Sequence, residues 1–358
     1  MDELDIIRRR QRNQRLTREA LGTAPEVVAW LGAVQAQEYE EAKWSVGQRL
    51  TTGTEFQVER ALTEGTILRT HILRPTWHLV SRPDIRWLLR LTSARVQAVN
   101  AHYYRRLELD AATLNQATDL LVNSLRDGQA HTRVTLVEKL LSAGIQGDGV
   151  RLALILMHAE LEGVIASGPR QGRQHTYALL EAGSTSTLDA DREAALAELT
   201  LRYFRSHGPA AIRDFSWWSS LTTADIRTGL ALNRTTLESW TDREGRAWFG
   251  PGDRGQPGDE RQAFLLPTYD ESVVAYQSLR NVFDGSASGR TLLPRPLVIA
   301  GRTLGTWKRT PAKRSAVVDV SVGRPLSTEE SVQLREAVER FSRFHGLPAE
   351  LTDRGNLA

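Results

Sequence analysis

The chain has 358 residues, 41% of them hydrophobic and 25% charged, which is typical of a globular protein of two or three domains. It contains no apolar run near the roughly 20 residues of a membrane span, and its N-terminus has no secretory-signal pattern. The absence of cysteine excludes disulfides, thiolate metal sites and cysteine nucleophiles, and cytoplasmic localisation is the default expectation.

Residues 1–81 are predicted to form helices followed by a β-hairpin. A capping box with proline in the first turn, Thr23–Glu26, predicts a helix that runs on through VVAWLGAVQAQ. A further helix is predicted between Thr54 and Gly65. The segment ILRTHILRPTWHLVS is rich in strand formers and is broken at proline, which indicates a hairpin.

The pattern of helices followed by a hairpin returns twice, over residues 82–183 and 184–250. Three such units predict tandem winged-helix modules, with a long connecting helix at the start of the second. Residues 251–261, rich in Gly, Pro and charge, are predicted to be a linker. Residues 262–358 are predicted to form a small β-barrel-like domain with a C-terminal helix. The predicted fold class is therefore α+β.

Positive charge is distributed unevenly along the chain. The net charge is only +3, and arginines dominate the 46 cations, for which codon bias is a sufficient explanation. Residues 285–318, however, contain no acid, and they carry Arg290, Arg295, Arg302, Lys308, Arg309, Lys313 and Arg314. Such a segment predicts contact with a polyanion, although a solvated surface remains possible. For the second arginine cluster, residues 8–18, phosphate contact and a solvated helix face with local ion pairs stay equally open.

Common catalytic signatures are absent from the sequence: it has no P-loop, no GxGxxG, no GxSxG and no HExxH. His71 and His78 fall in one predicted hairpin without partner ligands, so no metal site is expected. The residues themselves therefore favour DNA binding and leave enzymatic activity open.

Four segments resemble the AlkZ/YcaQ family of winged-helix DNA glycosylases in order and spacing. They are WLGAVQAQEYEEAKWSVGQRL, LRTHILRPTWHLVSRPD, FLLPTYDESVVAYQSLR and VIAGRTLGTWKR. The resemblance covers about residues 5 to 345. It implies three winged helices and a β-barrel, and removal of N7-alkylated guanine, including bulky adducts and crosslinks left by genotoxic natural products. The Gln35-Ala36-Gln37 motif implies the AlkZ branch, which is associated with self-resistance to DNA-alkylating antibiotics.

The resemblance makes Gln35 and Gln37 the expected catalytic residues. An amide cannot act as a general base, because it only donates and accepts hydrogen bonds. An N7-alkylguanine already carries positive charge, so an amide pair that orients one water could suffice. Residues two apart on a helix point in opposite directions, so the helix must end or bend near Gln37. Without the resemblance, the two glutamines would be interpreted as polar residues that only cap a helix or lie on its surface.

Other residues are expected to support the site or to bind DNA. Thr76 and His78 share one strand face, and His78 could orient a phosphate or guanine, or could be satisfied inside the module. Asp270 and Glu271 could stabilise positive charge, but a helix N-cap at Asp270 is the favoured interpretation. The expected DNA-backbone contacts are Arg302, Lys308, Arg309, Lys313 and Arg314.

The sequence therefore predicts a monofunctional DNA glycosylase that acts on double-stranded DNA containing alkylated purines. We expect a monomer without cofactor, metal or membrane attachment. The alternative is a non-catalytic winged-helix DNA-binding regulator. Regulators usually dimerise to read half-sites, and no long coiled-coil heptad is present, which favours the enzyme.

Overall fold

A computed structural model describes residues 3–17, 19–147, 149–181, 187–252, 262–277, 295–311 and 315–353. The fold is mixed α+β, as predicted. Within these ranges, no helix combines the length and apolarity needed to cross a membrane.

The first unit contains four helices and a three-stranded sheet of order β1-β3-β2. Its elements are α1 (Glu3–Asn13), α2 (Ala24–Leu31), β1 (Val34–Gln35), α3 (Tyr39–Gly47), α4 (Glu55–Thr63), β2 (Ile67–Ile72) and β3 (Arg74–Ser81). The predicted capping box at Thr23 is present, and the helix predicted to begin at Thr54 also starts with a capping box.

The prediction that the second helix runs on through the Gln-x-Gln motif is wrong. The helix ends at Leu31 because Gly32 adopts a φ of +82°, a conformation that favours glycine and stops the helical ladder. The chain then turns into β1, where Val34 pairs with Leu79 and Gln35 with His78. The next helix, α3, begins at Tyr39, just after the motif.

The second and third units follow the predicted order of helices and a hairpin. The second consists of α5 (Ile85–Arg106), α6 (Ala111–Ser124), β4 (His131–Thr132), α7 (Arg133–Ser142), α8 (Gly149–Leu161), β5 (Ile165–Gln171) and β6 (Gln174–Leu179). After a 3-10 turn (Thr187–Asp189), the third consists of α9 (Arg192–His207), α10 (Ile212–Ser219), α11 (Thr223–Leu232), β7 (Leu237–Thr241) and β8 (Ala247–Pro251).

The C-terminal part is a five-stranded sheet of order β13-β12-β11-β10-β9. Its elements are β9 (Ala263–Leu265), α12 (Glu271–Val274), β10 (Pro296–Ile299), β11 (Arg302–Pro311), β12 (Ala316–Val322), α13 (Thr328–His345) and β13 (Ala349–Asp353). The predicted β11–β12 hairpin is confirmed, whereas β13, which pairs in parallel with β12, was not predicted. Most of the predicted linker, residues 253–261, lies outside the described ranges.

The first unit and the C-terminal sheet share one hydrophobic core. Trp44 packs edge-on against Phe341 at 5.3 Å, and its indole nitrogen donates to the Leu265 carbonyl at 2.7 Å. At Gly47 a Cβ would collide with the Phe344 ring, so this close approach requires glycine. The Gln-x-Gln motif therefore lies in a unit that packs tightly against the C-terminal part of the chain.

Candidate active site around Gln35

The backbone of the Gln-x-Gln motif is held from three directions. The Gln35 amide donates to Glu271 Oε1 at 2.7 Å, and the Ala36 amide donates to the Trp77 carbonyl at 2.6 Å. The Ala36 carbonyl accepts from Arg69 Nε at 3.1 Å. Gln35 ends the short strand β1, and Gln37 lies in the bend that follows it, so the motif is not helical and the two glutamines are not forced to opposite sides of a helix. Gln35 is 7% exposed, whereas Gln37 is exposed.

Arg74 fixes the orientation of the Gln35 side chain. Its Nη2 donates to Gln35 Oε1 at 3.0 Å, and its Nη1 donates to the Val274 carbonyl at 3.3 Å. A guanidinium only donates hydrogen bonds, so the oxygen of the amide must face Arg74. The amide nitrogen of Gln35 is therefore the end that can serve a substrate or a water. The sequence analysis did not identify Arg74 as a site residue.

His78 is a neutral partner in this arrangement. Its Nδ1 lies 2.9 Å from the Thr76 carbonyl and must donate to it, so the unprotonated Nε2 faces Arg74 Nη2 at 3.4 Å. Burial, reinforced by the charge of Arg74, holds the pKa of His78 well below its usual value. Thr76 is half-buried, and its hydroxyl has no hydrogen-bond partner among the described residues. His78 is therefore the residue opposite Gln35 in the β1–β3 pair, and its ring is fully buried.

The titration of His78 should be visible in stability. Because its folded pKa lies below that of the unfolded chain, the unfolded state takes up the extra proton as the pH falls. The contribution of His78 is therefore complete above about pH 6.5 and is lost on further acidification. We expect wild type to lose stability faster than His78→Gln below that pH, by at most about 1.4 kcal/mol per pH unit. Urea unfolding of both proteins between pH 8 and 5 measures this difference; parallel curves would contradict it.

Glu271 anchors the motif from the C-terminal region. It is fully buried, and its Oε1 accepts from the Gln35 amide while its Oε2 accepts from Trp218 Nε1 at 2.8 Å. His207 Nε2 lies 3.6 Å from the same Oε2, yet burial lowers the pKa of His207. Glu271 therefore holds the end of β1 in place through its contact with the Gln35 amide.

Asp270 is the N-cap of α12, which confirms the favoured interpretation. Its carboxylate accepts from the Ser272 amide at 2.9 Å and from both terminal nitrogens of Arg49, at 2.9 and 2.8 Å. Both side chains of this ion pair are fully buried. Although burial opposes it, the charge of Arg49 lowers the pKa of Asp270 to about 2. Asp270 therefore acts on the site indirectly, by fixing the helix that carries Glu271.

Three side chains that pack together, Arg69, Trp77 and His71, lie next to the Gln-x-Gln motif. The Arg69 guanidinium lies 4.0 Å from the Trp77 ring centroid, and the His71 ring lies 3.9 Å from Trp77. His71 Nδ1 is 2.5 Å from Glu160 Oε2 on α8, and burial raises the pKa of Glu160. Arg69 therefore reaches the Ala36 carbonyl from a stack that also involves the second unit. Sequence patterns gave no indication of this role.

The basic β11–β12 region is partly internal. Trp307 is buried and donates to the Leu266 carbonyl at 2.9 Å, while the next residue, Lys308, is exposed. Arg302 is exposed, and Arg309 is half-buried 5.7 Å from the Phe341 ring. Arg295 forms an ion pair with Glu41 at 2.7 Å. Lys313 and Arg314 lie outside the described residues.

One member of the N-terminal arginine cluster has a purely internal role. Arg10 is 3% exposed, stacks 3.6 Å from the Tyr276 ring centroid and lies 3.6 Å from Asp214. Its Nε donates to the Pro209 carbonyl at 2.8 Å. Arg10 is therefore an internal packing residue, which is neither the phosphate contact nor the solvated helix face expected for this cluster.

Comparison with known proteins identifies the class of enzyme. The family model described as "DNA glycosylase AlkZ-like" matches residues 28–344. The chain therefore belongs to the AlkZ-like DNA glycosylases, hydrolases that act on N-glycosyl bonds, and the resemblance seen in the four segments is confirmed.

Two relatives come from Streptomyces sahachiroi. An interstrand DNA cross-link repair glycosylase is 25% identical over 276 residues, which cover 74% of this chain and 70% of the relative. The solved structure of the DNA glycosylase AlkZ superposes with a TM-score of 0.74 at 21% identity, covering 98% of this chain and 100% of that one. This second likeness shows that the two chains share a fold.

Proposed function

We propose that this enzyme is a monofunctional glycosylase that hydrolyses the N-glycosidic bond of cationic N7-alkylguanine in double-stranded DNA. The observation that carries the proposal is the Gln35 amide, whose oxygen is bound to Arg74 and whose backbone is bound to Glu271. Such a site orients groups but offers no obvious proton donor to the leaving base. A base that already carries positive charge becomes neutral as it departs, so it needs no protonation.

The two glutamines are proposed to position the attacking water. Gln35 would donate from its amide nitrogen, because its oxygen is committed to Arg74. Gln37, which is exposed just beyond β1, would supply the accepting oxygen. Two amides on one water would hold it in line with the sugar, and this acts through orientation rather than base strength. Neutral bases would leave poorly from such a site, which gives selectivity for alkylated guanine.

DNA binding is proposed to use several units of the chain. We interpret residues 1–81, 82–183 and 184–250 as winged-helix modules, joined by a linker at 251–261 to a barrel-like domain at 262–358. Exposed Lys308 and Arg302 support a backbone contact by the β11–β12 hairpin, to which Arg309, Lys313 and Arg314 would contribute. The name of the cross-link repair relative supports interstrand crosslinks as substrates. Action on bulky adducts and a role in self-resistance are proposed from the family resemblance alone.

Base release from defined duplexes tests this proposal. We expect wild type to release 7-methylguanine, and separately a bulky N7 adduct, well above the spontaneous rate, and to leave neutral guanine in place. Gln35→Ala and Gln37→Ala should each slow release by about 100-fold, as expected when a reacting group is misplaced. Release at the spontaneous rate by wild type would favour the regulator. Release unaffected by either substitution would contradict the assigned residues.

A further inference from the structure

A cavity of about 580 Å³ opens between α10 and α11 in the third unit. Its lining includes Arg213 and Trp217 from α10, Arg227 from α11, and Gln277. None of the residues that line it is an aspartate or a glutamate. The neighbouring Asp214 is buried, lies 3.6 Å from Arg10 and accepts from the Ala211 and Gln277 amides, so its charge is compensated. The cavity therefore presents an aromatic ring and two exposed guanidinium groups.

Trp217 is held in place although it is exposed. The side chain is 52% exposed, whereas the adjacent Trp218 is fully buried. Its indole nitrogen donates to the Val274 carbonyl at 3.2 Å, which anchors one edge of the ring. An aromatic side chain fixed by its edge, with half its surface in solvent, loses little conformational freedom when it stacks on a ligand. Trp217 is therefore suited to stack against a planar ligand.

The cavity is connected to the candidate catalytic amide. The Val274 carbonyl that accepts from Trp217 also accepts from Arg74 Nη1 at 3.3 Å. Arg74 in turn binds Gln35 Oε1. One carbonyl and one guanidinium thus join the exposed indole to the Gln-x-Gln motif. Three consecutive hydrogen bonds separate Trp217 from Gln35, so a ligand on Trp217 would lie within a few side-chain lengths of the site at Gln35.

We propose that this cavity binds a nucleotide of the DNA strand next to the lesion. The base stacks on Trp217, and Arg213 and Arg227 contact the flanking phosphates. Stacking on tryptophan combined with cationic contacts to the backbone is the usual chemistry of single-nucleotide recognition. The inference rests on the proposed function only in taking DNA as the ligand. A cationic cavity without carboxylates favours this polyanion over a protein segment.

Binding and fluorescence on full-length protein test the subsite. The probe is a duplex that carries 2-aminopurine beside a 7-methylguanine or beside an undamaged guanine. We expect Trp217→Ala to weaken binding about tenfold and to abolish quenching of 2-aminopurine, whereas Trp217→Phe keeps both within about twofold. The double variant Arg213→Ala/Arg227→Ala should reduce the slope of log K against log salt by almost two.

Two surface controls match these changes. Phe56, a 71% exposed aromatic on α4, is replaced by alanine, and exposed Arg335 on α13 is replaced by alanine. Phe56→Ala should bind and quench like wild type. Arg335→Ala should leave the salt slope unchanged. Circular dichroism establishes that every variant is folded before binding is measured.

The outcomes separate this inference from the proposed function. If wild type binds and quenches but releases no base, the subsite stands and the proposed function fails. If wild type releases base and Trp217→Ala matches it in affinity and quenching, the subsite is overturned and the proposed function stands. A loss in Trp217→Ala that Phe56→Ala reproduces would also overturn the subsite.

Discussion

Replacing Arg74 with methionine should slow the release of 7-methylguanine by about 100-fold, close to the loss expected from removing Gln35 itself. The reason is that Arg74 is the donor that fixes which end of the Gln35 amide faces the substrate. Burial lowers the pKa of Arg74, although the charge of Glu271 opposes this shift. The guanidinium is therefore positioned by its protein contacts and not by solvent. Methionine fills similar space but leaves the amide free to rotate.

A double-mutant cycle shows whether Arg74 acts through Gln35. Single-turnover rates are measured for wild type, Arg74→Met, Gln35→Ala and the double variant, with DNA affinity as a second readout. If Arg74 is a positioning residue, the double variant should be no slower than Gln35→Ala, because the two losses overlap. Arg82→Met, which removes a guanidinium bonded to the Gly65 carbonyl in the same unit, should react like wild type. Fully multiplicative losses would contradict the positioning role.

Asp270→Asn should destabilise the protein by about 3–5 kcal/mol, the range found when one partner of a buried ion pair is removed. Arg49 and Asp270 are both fully buried, so the substitution leaves the Arg49 charge without its carboxylate. Two further donors, the Ser45 and Ser272 hydroxyls, lose a charged acceptor at the same time. Urea denaturation at pH 7 measures the loss. Since the pKa of Asp270 is about 2, the wild-type ion pair should persist until strongly acidic pH.

A matched surface pair provides the control for this experiment. Asp225 bonds to Arg192 at 2.9 Å, but the arginine side chain is 59% exposed. Asp225→Asn should therefore cost less than about 1 kcal/mol, because exposed ion pairs contribute little. Equal losses at the two positions, or a loss below 1 kcal/mol at Asp270, would show that the buried pair does not hold the two regions together.

Local features of the fold could be predicted, because the groups that determine them are near in sequence. The caps at Thr23, Thr54 and Ser327 bond to residues three positions on, and the helices after Thr23 and Thr54 begin where they are predicted. The error at α2 has a local part, since Gly32 ends the helix, and a tertiary part, which sets the structure of the residues after it. Apolar periodicity continued past Gly32, but pairing with β3, more than 40 residues later, drew Val34 and Gln35 into a strand.

The candidate site was predictable only in part. Gln35 and Gln37 were found through the family resemblance, and His78 through its strand position. The contact that fixes the motif joins Gln35 to Glu271 across 236 residues, and no spacing rule connects positions so far apart. In the sequence, Arg74 stands out only as the residue before the proline that breaks the hairpin. Its role depends on Val274 and Gln35 meeting in space.

The hydrogen bond between the Gln35 amide and Glu271 also has a consequence for folding during synthesis. During synthesis the N-terminal unit leaves the ribosome first, and folding generally proceeds in that order. Arg49 must wait 221 residues for Asp270, and the Gln35 amide must wait 236 residues for Glu271. Until then the Arg49 guanidinium and the Gln35 amide, which are buried in the folded protein, lack their hydrogen-bond acceptors. The nascent N-terminal unit is therefore incomplete, and the glycosylase site becomes a finished structure only when the last quarter of the chain has docked.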